Sequence, residues 1–256
     1  MAKKKATPNP LSTRDAIAAP NRKLRKNAVQ TTPSAPSTKR GVATRERLKK
    51  AAIFVLERQG YRNMRLQDVA EEAGVNFSLF YHYFASKAEL THEILTEFVD
   101  SFMSVETRSI ARDDPFSAIY LANVIMANRY ADSPGLMRCL VHFDEEESKF
   151  SDIFRAVTFD WHKKIAKSLH TRFPDIPADE QTLIMVAYAL GGMIDNFLFE
   201  RFVDRNPVLV EAFPDAASAA HFLAIMWYRA VYLKNPDTDQ LQNFASLELL
   251  RFSQKA

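Results

Sequence analysis

Apolar residues recur along most of this chain at the three-and-four spacing of amphipathic helices. Leu48, Ala51, Ala52 and Val55, with charged residues between them, predict a first helix over about 45–59, and Gly60 reads as its left-handed stop. Leu66, Val69, Ala70 and Ala73 make a second helix that Gly74 ends. Val75 then turns inward and Asn76 caps a third helix, whose buried side is set by Phe80 and Phe84, four apart. Phe77, Ser78, Leu79, Tyr81 and His82 take the opposite side. Ser86-Lys87-Ala88-Glu89 has the form of a capping box, so a further helix opens there. A helix held across a tight turn from its predecessor is an arrangement that fits a DNA major groove.

Beyond Phe84 the helical pattern continues almost to the end. It predicts helices over about 87–110, 115–131, 134–146, 148–172, 178–204, 217–234 and 240–253. Breaks fall at Asp113-Asp114-Pro115, Ser133-Pro134-Gly135, Phe173-Pro174, Asn206-Pro207 and Asn235-Pro236. Phe150, Ile153, Phe154, Val157, Trp161, Ile165 and Leu169 line one face of a single helix. Such a face needs other helices to bury it, which predicts a bundle. The fold class is all-α, with a three-helix N-terminal reader and a larger C-terminal helical domain.

Residues 44–90 resemble the DNA-binding domain of TetR-family transcriptional regulators. The resemblance rests on Ala51-Ala52, Gly60-Tyr61, Asp68-Val69-Ala70, Ala73-Gly74-Val75, Tyr81-His82-Tyr83-Phe84 and Ser86-Lys87. It implies that Tyr81, His82 and Lys87 face phosphates. Two departures stand out. Met64 and Arg65 occupy positions where the family usually has small hydroxyl residues, so a hydroxyl N-cap is lost and Arg65 offers a charged contact instead. The third helix opens on Asn76, Phe77, Ser78 and Leu79 and carries no Arg or Lys, the residues that read guanine bidentately. Phe77 and Leu79 either touch thymine methyls or pack on neighbouring helices. Ser78 is a candidate for a base edge or a phosphate.

Charge sharpens this picture. The whole chain has a formal net charge of +3. Residues 1–43 hold ten basic residues against Asp15 alone (+9), residues 44–87 hold eight basic and five acidic (+3), and residues 88–256 hold 16 basic and 25 acidic (−9). The basic end suits a polyanion and the body does not. The first segment also has five prolines and no sustained apolar stripe, so it reads as a disordered basic arm, 1–43, ahead of the reader, 44–90, and the body, 91–256. Such an arm either follows the DNA backbone and minor groove or merely keeps the chain soluble.

In the body, residues 183–203 and 221–233 are apolar around much of their circumference, which predicts core on one side and a partner chain on the other. The resemblance places a four-helix homodimer interface there, for which Leu190, Ile194, Phe197, Ile225, Tyr228 and Tyr232 are the candidates. A two-fold dimer reads a pseudopalindrome in double-stranded DNA. The resemblance also implies an effector cavity within the middle helices. Phe102, Tyr120, Met126, Phe143, Trp161, Tyr188 and Asn196 are candidate lining for a small apolar or aromatic ligand, against the plainer reading of a Phe-rich core.

Other function classes find little support. No phosphate-cradling glycine loop, nucleophile elbow or zinc-helix motif occurs, so no catalytic residue, cofactor or metal is expected. The Asp144-Glu145-Glu146-Glu147 run beside His142 reads as a solvated helix end. A single cysteine, Cys139, excludes an intrachain disulfide. With no apolar run read as membrane-spanning and no secretory leader, a cytoplasmic protein is expected. The expected function is therefore a sequence-specific regulator, a repressor released by its effector; the alternative is a DNA-bound architectural or recruiting factor without one.

Overall fold

The computed structural model describes residues 38–103, 114–141, 148–175 and 177–249. Within them the chain runs α1 Lys39–Asn63, α2 Leu66–Glu72, α3 Phe77–Phe80, α4 Lys87–Met103, α5 Pro115–Asp132 and α6 Pro134–Val141. It continues with α7 Ser148–Arg172, α8 Glu180–Leu198, α9 Pro207–Ala212, α10 Ala216–Tyr232 and α11 Thr238–Leu241. A π-helical turn, Phe199–Val203, extends α8, and a 3-10 stretch, Gln242–Leu249, follows α11. The described residues contain no strand. The basic arm as far as residue 37, the predicted helix ends at 110, 146 and 253, and the acidic run beside His142 lie outside the described residues.

Several boundaries differ from the sequence reading for physical reasons. α1 begins at Lys39 rather than 45, because Thr38 caps it: the Thr38 hydroxyl accepts the Gly41 N–H at 3.1 Å. Gly60 leaves the helical conformation at φ 74° and ψ 164°, as the expected left-handed stop requires, and a short helical piece follows it to Asn63. The third helix is a single turn, closed by three-residue turns in which His82 N–H donates to Leu79 and Tyr83 N–H to Phe80. The break read at Asn206-Pro207 is present, and the same residues open a further short helix, α9. The Asn206 side chain accepts the Val208 N–H at 3.1 Å, and proline stands where a helix needs no N–H.

Leu48, Val55, Leu56, Val69, Phe80, Phe84 and Leu90 are wholly buried and form the centre of the reader. Each such side chain contributes roughly 1.5–3 kcal/mol by leaving water. The same apolar cluster runs on without interruption through Tyr130, Leu136, Met137, Leu140, Leu198 and Phe213. Reader and body thus share one core across residue 90. In the body α10 packs along α5, α8 along α7, and α6 lies against α1.

α10 is enclosed by its own chain. Ile225 and Tyr228 fill a second cluster with Phe116 and Leu241, so their all-round apolar character is explained within the protomer. α8 differs: Leu183 and Ala187 face inward, while Met185, Val186, Tyr188 and Met193 are 38–52% exposed. The expectation that no run reaches membrane length is also corrected. Glu180–Val203 is long and apolar enough to cross a membrane by length and composition, although one side of it is packed into the bundle.

Candidate nucleic-acid interface

The reader is built upward from its turn. Gly74, at φ 62°, lets the chain leave α2 while its N–H donates to Glu71 at 2.9 Å and that of Val75 to Ala70 at 3.0 Å. The Asn76 carboxamide oxygen then accepts the Ser78 N–H at 3.0 Å and the Ser78 hydroxyl at 2.9 Å, so its side chain is taken up in starting α3. Phe80 and Phe84 hold α3 from below, with ring centroids 5.8 Å apart. On the outer side Ser78, Tyr81 and His82 are exposed and Phe77 and Leu79 half-exposed. The Tyr81 ring stands edge-on to Phe77 at 5.4 Å and to Phe80 at 5.6 Å, which presents its hydroxyl end outward on a fixed base.

Arg65 is exposed and precedes α2 without a side-chain cap, as the loss of a hydroxyl there implies. Lys87 is placed differently from a free phosphate contact. Its ammonium donates to the Tyr61 carbonyl at 2.9 Å and lies 4.2 Å from the centre of the Tyr61 ring, fastening the start of α4 to the end of α1. Two basic residues of α1 are also taken up within the protein. Arg45 grips Glu93 with both guanidinium ends and covers the Phe84 ring at 4.5 Å. Lys49, 5% exposed, is held by Glu46, Glu93 and Glu97.

The early start of α1 brings residues to the site that the sequence reading missed. Arg40, Thr44 and Arg47 line a cleft whose opposite wall is Asn76, Leu79 and Tyr83. These two guanidinium groups flank a third helix that has none of its own. Their spacing along one helical face was the available signal, hidden because residues 39–44 carry no apolar stripe.

Residues 48–94 match the family model described as bacterial regulatory proteins, tetR family. The reader is a TetR-family domain. No curated protein matches the chain significantly. Among solved structures, the fatty acid degradation regulator FadR of Bacillus halodurans is similar at TM-score 0.55 and 14% identity, over 72% of this chain and 94% of that one. A TetR-family transcriptional regulator of Bordetella parapertussis gives 0.54 and 20%, over 72% and 93%. FadR of Bacillus subtilis, in complex with stearoyl-CoA, gives 0.56 and 16%, over 71% and 96%. These likenesses show that the chain shares the fold of TetR-family regulators well beyond the matched reader.

The TetR-like body redistributes the candidate pocket residues. Tyr188, 41% exposed, and Asn196, also exposed, lie on the outer face of α8, while the Tyr120 ring packs against His221 of α10 at 5.6 Å. Met126 is packed on the main core and Trp161 is half-buried on α7. The Phe102 side chain and Phe143 lie outside the described residues. The described members therefore do not converge on one cavity. Polar groups do reach the interior: the Tyr130 hydroxyl donates to Asp195 at 3.2 Å, and Asn123 Oδ1 and His162 Nδ1 are buried without partners. Burial pushes the Asp195 carboxyl up to about 6 and the His162 imidazole down to about 4.

The proposed dimer residues are likewise taken up inside the protomer. Besides Ile225 and Tyr228, Leu190 and Ile194 pack on the Ala166–Trp227 cluster, and Phe197 stacks on Phe222. Tyr232 stacks on Tyr228 with centroids 4.4 Å apart. Helical periodicity had selected the inward side of α8, whereas the outward apolar side is the one left uncovered.

Proposed function

We propose that the chain is a homodimeric transcriptional repressor that reads a pseudopalindromic operator and acts by binding rather than catalysis. The observation that carries the reading is the pairing of an outward-facing TetR-type reader with one uncovered apolar helix face, Met185, Val186, Tyr188 and Met193 on α8. A contiguous apolar surface on an otherwise packed helix is where a second copy would bury area. A domain limit near 90 and a cytoplasmic setting belong to the same proposal, with the reader extended back from the expected 43 to the start of α1 at Lys39. So does release by a small apolar or aromatic effector: one neighbour of the same fold is described with stearoyl-CoA bound, and this body has buried polar groups that would orient a ligand head.

Selection of bound sequences from a random DNA pool tests the reading. Two inverted half-sites centred about one turn, 10–10.5 bp, apart are expected. Single or asymmetric sites would count against a dimeric reader. Met185→Glu with Met193→Glu should yield monomers by sedimentation and weaken operator binding at least tenfold, since four carboxylates would then be buried together at a two-fold interface. An unchanged dimer removes α8 from the interface.

Within the reader, Leu79→Ala should cost about 1 kcal/mol at one base position and relax specificity there. Tyr81→Ala and His82→Ala, at phosphate-facing positions, should weaken all sequences alike. Uniform weakening by Leu79→Ala in a binding-site selection would show that Leu79 does not read bases.

A further inference from the structure

α6 is a short helix gripped at two points by different parts of the molecule. At its N-terminus the Glu57 carboxylate of α1 accepts the Gly135 N–H at 2.6 Å and the Leu136 N–H at 3.0 Å. These are backbone donors that a helix cannot satisfy internally, and a carboxylate there also meets the positive end of the helix dipole. Contact is close enough to require glycine: a Cβ on Gly135 would stand 2.7 Å from Glu57 Oε2 and 2.8 Å from Glu57 Cα. Further along α6, Arg138 donates to the Val203 carbonyl at 2.8 Å and reaches Asp204 at 3.3 Å, where the π-helical extension of α8 ends. On the inner side of α6 Leu136, Met137 and Leu140 are buried in the shared core. α6 is thus a strut about 12 Å long joining α1 of the reader to the far end of the helix that bears the uncovered apolar face.

We infer that Glu57 is a positioning residue for operator recognition: by holding the N-terminus of α6, it sets the orientation of the reader on the body and so the half-site spacing that a dimer accepts. The inference rests on the proposed homodimeric reading. Its physical content is that Glu57 makes no use of DNA. It lies on the side of α1 that faces α6, and both its oxygens are occupied there. Burial raises its carboxyl above the ordinary range, and the two N–H donors oppose that rise, so the carboxylate is held chiefly by α6. Without it the same buried contacts keep the reader folded, but the angle between α1 and α6 loses its directional tie.

The test uses the full chain and a ladder of operators whose two half-sites are moved apart or together in single base-pair steps, together with a lone half-site. Each step shifts the second site by about 3.4 Å along the DNA and rotates it, so the unmodified dimer should lose at least tenfold on either side of its best spacing. Glu57→Ala should bind the best spacing about tenfold more weakly, flatten the profile, and bind the lone half-site as before. Glu57→Gln keeps one acceptor and should fall between. Gly135→Ala, which pushes α6 off α1 while retaining the carboxylate, should move or flatten the optimum as well. A profile for Glu57→Ala that keeps the original shape overturns the inference, and so does an equal loss at every spacing and at the lone half-site. A flat profile from the unmodified protein overturns the dimeric reading itself and this inference with it.

Discussion

Gly191→Ala is expected to destabilise the protein by about 1–3 kcal/mol, the usual cost of forcing a methyl group into a filled core. The methyl would overlap Nε2 of His162 and stand 3.2 and 3.3 Å from its Cε1 and Cδ2. The imidazole has little room to retreat, being 3% exposed and packed 4.1 Å, centre to centre, on the Tyr188 ring. α7 and α8 would have to separate, and with them the layer that presents the outer face of α8. Thermal unfolding should report a fall in Tm of roughly 2–4 °C per kcal/mol for a chain of this size. The cause is separable from helix propensity, which favours alanine over glycine. Adding His162→Ala to Gly191→Ala should recover most of the loss, with a coupling of at least about 1 kcal/mol in the double-mutant cycle. A single Gly191→Ala variant within about 0.5 kcal/mol of the parent would mean that α7 and α8 accommodate the methyl freely.

Asp195→Asn is expected to change the pH dependence of stability rather than simply its level. Burial, with a smaller opposing effect from the Tyr130 hydroxyl, lifts the Asp195 carboxyl from 3.8 to about 6. The folded state therefore holds a proton that the unfolded chain has released. The stability this gives is complete below about 3.8 and is lost as pH rises through 6. His162 works in the other direction. Burial lowers it from 6.5 to about 4, so its neutral form contributes stability above 6.5 that is lost as pH falls towards 4.

The two slopes oppose each other over nearly the same interval. Asparagine can still accept from Tyr130 but carries no charge, so Asp195→Asn should be more stable at pH 8 by up to about 3 kcal/mol, at 1.36 kcal/mol per pH unit. The difference from the parent should shrink towards zero near pH 4, leaving a variant that loses stability on acidification where the parent is nearly level. Denaturant unfolding at pH 8, 6.5, 5 and 4.5 measures this. A constant difference at every pH would show that Asp195 ionises as freely in the folded protein as in the unfolded one.

The reader was legible in the sequence because its signals are local. Leu48, Val55, Phe80 and Phe84 mark buried faces by spacing alone, and Gly74 and Asn76 mark the turn by backbone conformation and capping chemistry. What escaped depended on longer-range partners. Residues 39–44 have no apolar stripe, so only the Thr38 cap and the cleft opposite Leu79 reveal that α1 continues through them. Lys87 has the position of a phosphate contact in sequence, yet the Tyr61 carbonyl that holds it is 26 residues away. α8 and α10 look alike as strings of apolar residues. α5 covers one and leaves part of the other open, a distinction that resides in tertiary packing and not in composition.

The continuity of the apolar core from Leu48 and Phe84 through Met137 to Leu198 bears on how such a protein can diversify. A reader attached by a loose linker can be exchanged for another like a tool on a handle. Here a transplanted reader would arrive without the surface that Leu136 and Met137 require, and without an acid to receive the end of α6. New operator preferences are more accessible through changes at the few outward positions of residues 77–82, which alter what is read while leaving the joint undisturbed.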